Sequence, residues 1–204
     1  MDENADVWGI TDSWERRYHL QSFFLLFRRA AVQSPAFAQF WSTVGYVQSK
    51  GWIIRKYELG LTRAFEAGGL RCRALFPYRV AVAALLEAMR NGGLQRHLDL
   101  VPGQKKYIHA IRDYAGRGVP LNGTHYLWDY LIERMGCPFL KRELLRDNPM
   151  GIPFIRHWAQ VVRSVNSYDT AVIDRHLALA LHDRPIPDPI PSGTPRRAWY
   201  VRGT

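Results

Sequence analysis

Three strings in this chain place polar side chains of catalytic type inside apolar surroundings. The first is Trp8-Gly9-Ile10-Thr11-Asp12-Ser13, followed by Tyr18-His19-Leu20-Gln21-Ser22. If both are strands, Asp12, His19 and Gln21 gather a carboxylate, an imidazole and an amide at one sheet edge, which is where open α/β folds bind ligands. Asp and Ser also cap turns, so turn chemistry explains the same residues without a ligand. The second string is Tyr57-Glu58-Leu59-Gly60-Leu61-Thr62-Arg63. Glu58 falls near the start of an amphipathic helix, where burial raises a carboxylate's pKa towards the range a general base needs. A carboxylate at that place also complements a helix N-terminus or pairs with Arg55 or Arg63.

The third string is the longest: Asn122-Gly123-Thr124-His125-Tyr126-Leu127-Trp128-Asp129, then Gly136-Cys137-Pro138 through Lys141-Arg142 to Arg146-Asp147-Asn148-Pro149. An indole such as Trp128 stacks on the C–H faces of sugars, while His125 and Asp129 are suited to hydroxyls. Lys141, Arg142 and Arg146 are suited to phosphate oxygens. Singly, each residue also has a structural reading: Trp128 as core, His125 as a satisfied cap residue, the basic trio as a solvated face.

These residues need a folded frame, and composition supplies one. The chain has 204 residues, 47% hydrophobic and 23% charged, close to the globular average and sufficient for one sizeable domain. The net charge is +10. It is unevenly placed, with five acids and no base in residues 1–15 against 24 bases and 11 acids in residues 16–182. A basic body favours an anionic partner: nucleic acid, acidic membrane surface or phosphorylated small molecule. Two distant cysteines, Cys72 and Cys137, imply neither a disulfide framework nor zinc, and a reducing cytoplasm fits them. The acidic start lacks the pattern of an export signal, and no apolar run reaches the ~20 residues of a spanning helix. A phosphate-cradling Gly-rich loop, a dinucleotide fingerprint, His-Glu-x-x-His, Gly-x-Ser-x-Gly and Asp-x-Asp are all absent. A divalent cation such as Mn or Mg therefore has no recognisable ligand motif here.

The pattern along the chain predicts strands at Val7–Thr11, over residues 20–27 and at Cys72–Phe76. Helices are predicted from Pro35, with Ser34 as N-cap and Phe37, Phe40 and Trp41 on the core face, and over Ile53–Ala67, stopped by Gly68-Gly69. Further helices are expected at Val80–Met89, Thr124–Met135, Phe154–Val165 and Ser167–His182. Residues 94–120 read as loops plus one short helix. Five prolines between Pro185 and Pro195 mark residues 183–204 as an irregular basic tail, leaving 1–182 as one domain.

Taken in order, the strings VWGITDS, YHLQSFFLLF, SPAFAQFW, KYELGLTRAFEAGGLRC, THYLWDYLI and GCPFLKRELLRDNP resemble the rhamnan synthesis protein F family over about residues 6–182. The resemblance implies a bacterial glycosyltransferase of cell-surface polysaccharide assembly, with a partial GT-A-like, α/β nucleotide-diphospho-sugar transferase domain and a helix-rich C-terminal portion. It implies a nucleotide-sugar donor, rhamnose foremost, and a polysaccharide or lipid-linked glycan acceptor. It makes Glu58 the expected base, by analogy with inverting GT-A enzymes that place an acid just before a Leu-x-x-Arg-x-x-x-x-Gly helix. The chain begins at what resembles a later strand of such domains, so a companion chain is expected to supply the donor-binding half. Gly123 stands where the family pattern has Pro, which leaves the backbone before His125 less constrained. The expected location is cytoplasmic, with peripheral contact at the inner face of the plasma membrane. Two other classes stay open: a non-catalytic glycan-binding or scaffold remnant, and a nucleic-acid-binding module. The second is disfavoured because the bases, 23 of 28 of them Arg, are spread along the chain without a continuous basic stripe.

Overall fold

The computed structural model describes residues 5–91 and 102–180. The fold is mixed α/β, a small mixed sheet with many helices, and the chain forms two compact units, Met1–Val80 and Ala81–Thr204. The proline-rich segment 183–204 lies outside the described residues, as do residues 92–101.

The first unit is built around β1, Val7–Ser13, whose seven residues are all buried. It pairs in parallel with β4, Cys72–Phe76, in the register Val7–Cys72 to Thr11–Phe76. It also has two short antiparallel partners, β2, His19–Leu20, and β3, Leu25–Phe27, in the pairing order β2-β1-β3. The connecting residues Gln21–Phe24 bulge out of regular pairing, the Gln21 N–H still donating to the Thr11 carbonyl and the Phe24 carbonyl accepting the Ile10 N–H. The single strand expected over residues 20–27 is thus broken, and Phe23, Phe24 and Leu26 are 37–41% exposed rather than buried. Gly9 permits the close approach of β2: a Cβ there would sit 3.0 Å from Leu20 Cβ.

Helices α1 (Arg29–Val32) and α2 (Pro35–Ser42) follow, and Ser34 caps α2 by accepting the Phe37 N–H at 3.2 Å. Phe40 is buried, but Trp41, expected in the core, is 41% exposed. The next helical stretch starts at Lys50, before the predicted Ile53. It comprises α3 (Lys50–Ile53), a π-helical turn (Ile54–Glu58) and α4 (Leu59–Ala67). The π turn is marked by the Leu59 N–H donating back five residues to the Ile54 carbonyl. Gly69, at φ +80°, ends the stretch in the left-handed region that favours glycine. The core gathers Val7, Leu20, Ala31, Phe40, Leu61, Phe65, Cys72 and Ala74. Cys72 and Cys137 are free and buried, and burial pushes the Cys72 thiol up to about 12, so it is inert at neutral pH.

Helix α5, Tyr78–Arg90, leads out of the first unit. In the second, residues expected to be mostly loop form a 15-residue helix, α6 (Pro102–Gly116), because Tyr107, Ile111 and Ala115 bury one face at four-residue spacing. The helix expected over Thr124–Met135 is split into α7 (Gly123–Tyr126) and α8 (Trp128–Glu133), with Leu127 at φ −120° between them. Then come α9 (Arg142–Arg146), a 3₁₀ turn (Ile155–His157), α10 (Trp158–Val165) and α11 (Thr170–Ala180). Asn148, at φ +37°, ties down the loop after α9 by accepting from the Ile152 N–H at 2.8 Å and donating to the Ile152 carbonyl at 3.1 Å. The Tyr107 hydroxyl donates to the Met150 carbonyl at 3.1 Å, fixing the same loop to α6.

Candidate functional site

The polar residues of the first string gather where the carboxyl end of β1 meets β2 and the start of the bulge. Thr11, Asp12, Ser13, His19 and Gln21 are all at most 7% exposed. Buried polar groups are costly unless paired, and here they are paired. The Thr11 hydroxyl donates to Gln21 Oε1 at 2.7 Å, and the Gln21 N–H donates to the Thr11 carbonyl at 3.0 Å. His19 Nδ1 lies 2.9 Å from the Arg17 carbonyl. A carbonyl only accepts, so the His19 proton is on Nδ1 and Nε2 is the basic nitrogen.

Asp12 works across the sheet: its Oδ1 accepts the Tyr78 N–H at 2.6 Å and so caps the first turn of α5. Burial pushes its carboxyl above the ordinary range, against the opposing pull of that hydrogen bond. A carboxyl whose folded pKa is raised contributes most below the unfolded value of about 4, and that contribution declines as pH rises through the folded value. Asp12→Asn keeps the acceptor without the buried charge, so its stability relative to wild type should improve from acid to neutral pH. Asp12→Ala strands the Tyr78 N–H and should lose about 1–3 kcal/mol. Urea unfolding of both variants across that pH range checks the pair.

Glu58 approaches this cluster from the helical side. It is half-buried, and its Oε1 accepts the Ser22 N–H of the bulge at 3.3 Å. One turn on, the fully buried Thr62 accepts the Leu20 N–H at 2.9 Å through its hydroxyl. Two side chains four residues apart thus staple the segment carrying His19 and Gln21 to the helix. Glu58 does not sit at a helix N-terminus, because the helical stretch begins at Lys50; it closes the π turn, a local geometry frequent at functional sites. The one sequence signal for Thr62 is that it is a polar residue on a buried apolar stripe with Leu61 and Phe65.

The second unit holds the rest. His125, Trp128 and Asp129 are at most 2% exposed. His125 Nε2 is 3.8 Å from Glu143 Oε2, and Lys141 Nζ is 3.6 Å from the same oxygen. Asp129 Oδ1 accepts the Tyr130 N–H at 2.8 Å, and the Thr124 hydroxyl donates to Asn122 Oδ1 at 2.8 Å. The Trp128 ring stacks on Phe154 with centroids 6.0 Å apart, so that face is taken by the core. Arg146 is paired with Asp147, which holds its guanidinium protonated. Among the described residues no group of three or more His, Cys, Asp or Glu side chains is placed to hold a metal ion. The described residues thus offer no ligand set for a divalent cation.

Residues 1–87 match the family described as Rhamnan synthesis protein F. The match is shorter than the extent of about 6–182 expected from the sequence, and it ends within α5. Two curated relatives, both named virulence protein VirA and both from Vibrio anguillarum, are each 32% identical over 171 residues, covering 83% of this chain and 53% of the relative. The chain therefore spans about half the length of the curated relatives it matches. No solved structure matches it.

Proposed function

We propose that this chain is the acceptor-side, base-bearing part of a glycosyltransferase of bacterial surface-polysaccharide synthesis, on a GT-A-like scaffold. The observation that carries this reading is that the stretch similar to Rhamnan synthesis protein F contains the unit in which Glu58 meets the bulge at the carboxyl end of β1. A nucleotide-diphospho-sugar, with rhamnose the leading candidate, donates the sugar to a growing polysaccharide or lipid-linked glycan. In an inverting transfer the acceptor oxygen forms a bond to the anomeric carbon while the bond to the diphosphate breaks, the diphosphate leaving with the electron pair. Glu58 takes the acceptor's proton. Held through one oxygen by Ser22, its carboxylate has a defined direction without a full shell of partners, as a base requires. His19 and Gln21 are assigned to acceptor hydroxyls, and Asp12 to the local framework that holds them.

In the second unit His125, Trp128 and Asp129 shape a substrate-binding region in this reading. Lys141 and Arg146 serve it by exchanging Glu143 and Asp147 for phosphate oxygens. A companion chain supplies the donor-binding half, and the reaction takes place at the cytoplasmic membrane face. No helix among the described residues is long and apolar enough to cross a membrane.

Calorimetric titration tests the substrate class. Rhamnose-containing oligosaccharides, and deoxythymidine- or uridine-diphospho-sugars with and without Mn²⁺, are the ligands. The reading expects heat with the oligosaccharide and its loss in Gln21→Ala. Absence of heat with every ligand would remove sugar recognition from this chain.

A further inference from the structure

From Arg16 to Tyr57 the chain has seven bases and not one Asp or Glu. Nine of the sixteen exposed large hydrophobic residues among those described fall in this same stretch, so acid-free charge and exposed apolar surface coincide. Neither the sugar chemistry nor the core uses that coincidence. We propose that this stretch forms a docking face for an anionic lipid surface, centred on Trp41, Val44, Tyr46, Trp52 and Ile53.

Tyr57 holds the face together. Its hydroxyl accepts the Gly45 N–H at 2.8 Å and lies 3.3 Å from the Thr43 carbonyl, which fixes the loop carrying Val44 and Tyr46. Its ring meets Trp52 at 5.2 Å and Phe40 at 6.4 Å, and Phe40 in turn meets Trp41 at 5.4 Å. The end of α2, the loop and α3 are thereby one surface. Tyr46 is 91% exposed and the other four are 37–41% exposed, and exposed apolar side chains that cluster, rather than standing singly, mark interaction sites.

Charge and side-chain type decide the occupant. Lys56 Nζ lies 4.6 Å from the centroid of the Trp52 ring, and Arg55 beside it is exposed, so cations flank the aromatic residues. Trp and Tyr concentrate at the level of lipid headgroups, and a long cationic side chain lies along apolar surface with its charge in the polar layer. A nucleic acid would use the cations and the rings but has nothing to offer Val44 and Ile53, which are suited to the acyl boundary. The face rests on no part of the transfer chemistry.

The test is co-sedimentation of the full chain with vesicles of phosphatidylglycerol and phosphatidylethanolamine, against pure phosphatidylcholine, at low salt. Wild type should pellet with the anionic vesicles and be released by salt. Each Lys or Arg near an anionic surface is worth about fivefold in partitioning, so Lys56→Glu should weaken binding at least about fivefold. Tyr46→Glu, at a residue with no packing role, should weaken it about tenfold or more without moving the melting temperature. Wild type staying in the supernatant, variants pelleting like wild type, or release by a mixed-sequence oligonucleotide at equal phosphate would each overturn the proposal. None of these readouts involves a sugar, so their failure leaves the transferase reading where it stood, and failure of sugar binding leaves the docking face intact.

Discussion

Glu58→Gln is expected to lower turnover of the complete transferase assembly by about 10²–10⁴ while leaving the melting temperature nearly unchanged. The substitution preserves shape, and its carbonyl oxygen still accepts the Ser22 N–H that Glu58 Oε1 accepts at 3.3 Å. What it removes is proton acceptance. If Glu58 only ties the bulge to the helix, Gln does the same work and activity per folded molecule stays at the wild-type level. Thr62→Val is the companion variant. It leaves the Leu20 N–H, now bonded to Thr62 Oγ1 at 2.9 Å, without its acceptor, and should cost stability. A base and a staple on one helix face are thus separable by measuring melting and turnover on the same preparations.

The largest effect on stability is expected at Phe65. Its side chain is fully buried, and its ring stands 5.5 Å from Phe40, 5.8 Å from Phe27 and 6.2 Å from Phe37. It is the point where α4, α2 and β3 meet. Phe65→Ala removes the ring and leaves a cavity that three aromatic neighbours cannot readily fill, for a loss of about 3–5 kcal/mol in urea unfolding. Phe65→Leu retains most of the volume and should lose markedly less. Because α4 also carries Thr62 and follows Glu58 directly, loosening it should widen the spacing between Glu58 and the bulge. Phe65→Leu is therefore expected to lower activity more than its folded fraction explains.

The elements set by strictly local chemistry were legible in advance. Cys72–Phe76 is a strand to the residue, Ser34 caps its helix as read, and the glycines after Ala67 end theirs. The strand ends also bring the Asp12 and His19 segments side by side, through the pairs Asp12–Leu20 and Ser13–His19, although Asp12 lies on the central strand. What the sequence concealed were departures from regular period. The bulge at Gln21–Phe24 arises between two separate pairings, β2 with Asp12–Ser13 and β3 with Val7–Gly9, which the apolar run over residues 20–27 does not encode. The π turn adds a residue to a helix whose apolar positions, Ile54, Tyr57, Leu61 and Phe65, satisfy an ordinary α period. Helix α6 was hidden because Lys105, Lys106, Arg112 and Asp113 dominate its composition while Tyr107, Ile111 and Ala115 define its buried face. Lys141 and Arg146 are paired with Glu143 and Asp147, a matter of local backbone and rotamer geometry that residue type does not reveal.

The most direct measurement of the central claim is the anomeric configuration of the product. The complete assembly, supplied with nucleotide-diphospho-sugar and a lipid-linked acceptor, is read by proton NMR of the newly formed glycosidic linkage. A single displacement with Glu58 as base predicts transfer with inversion relative to the donor, lost in Glu58→Gln and restored with the wild-type chain. A product that retains the donor's configuration, or one formed equally well by Glu58→Gln, would contradict it.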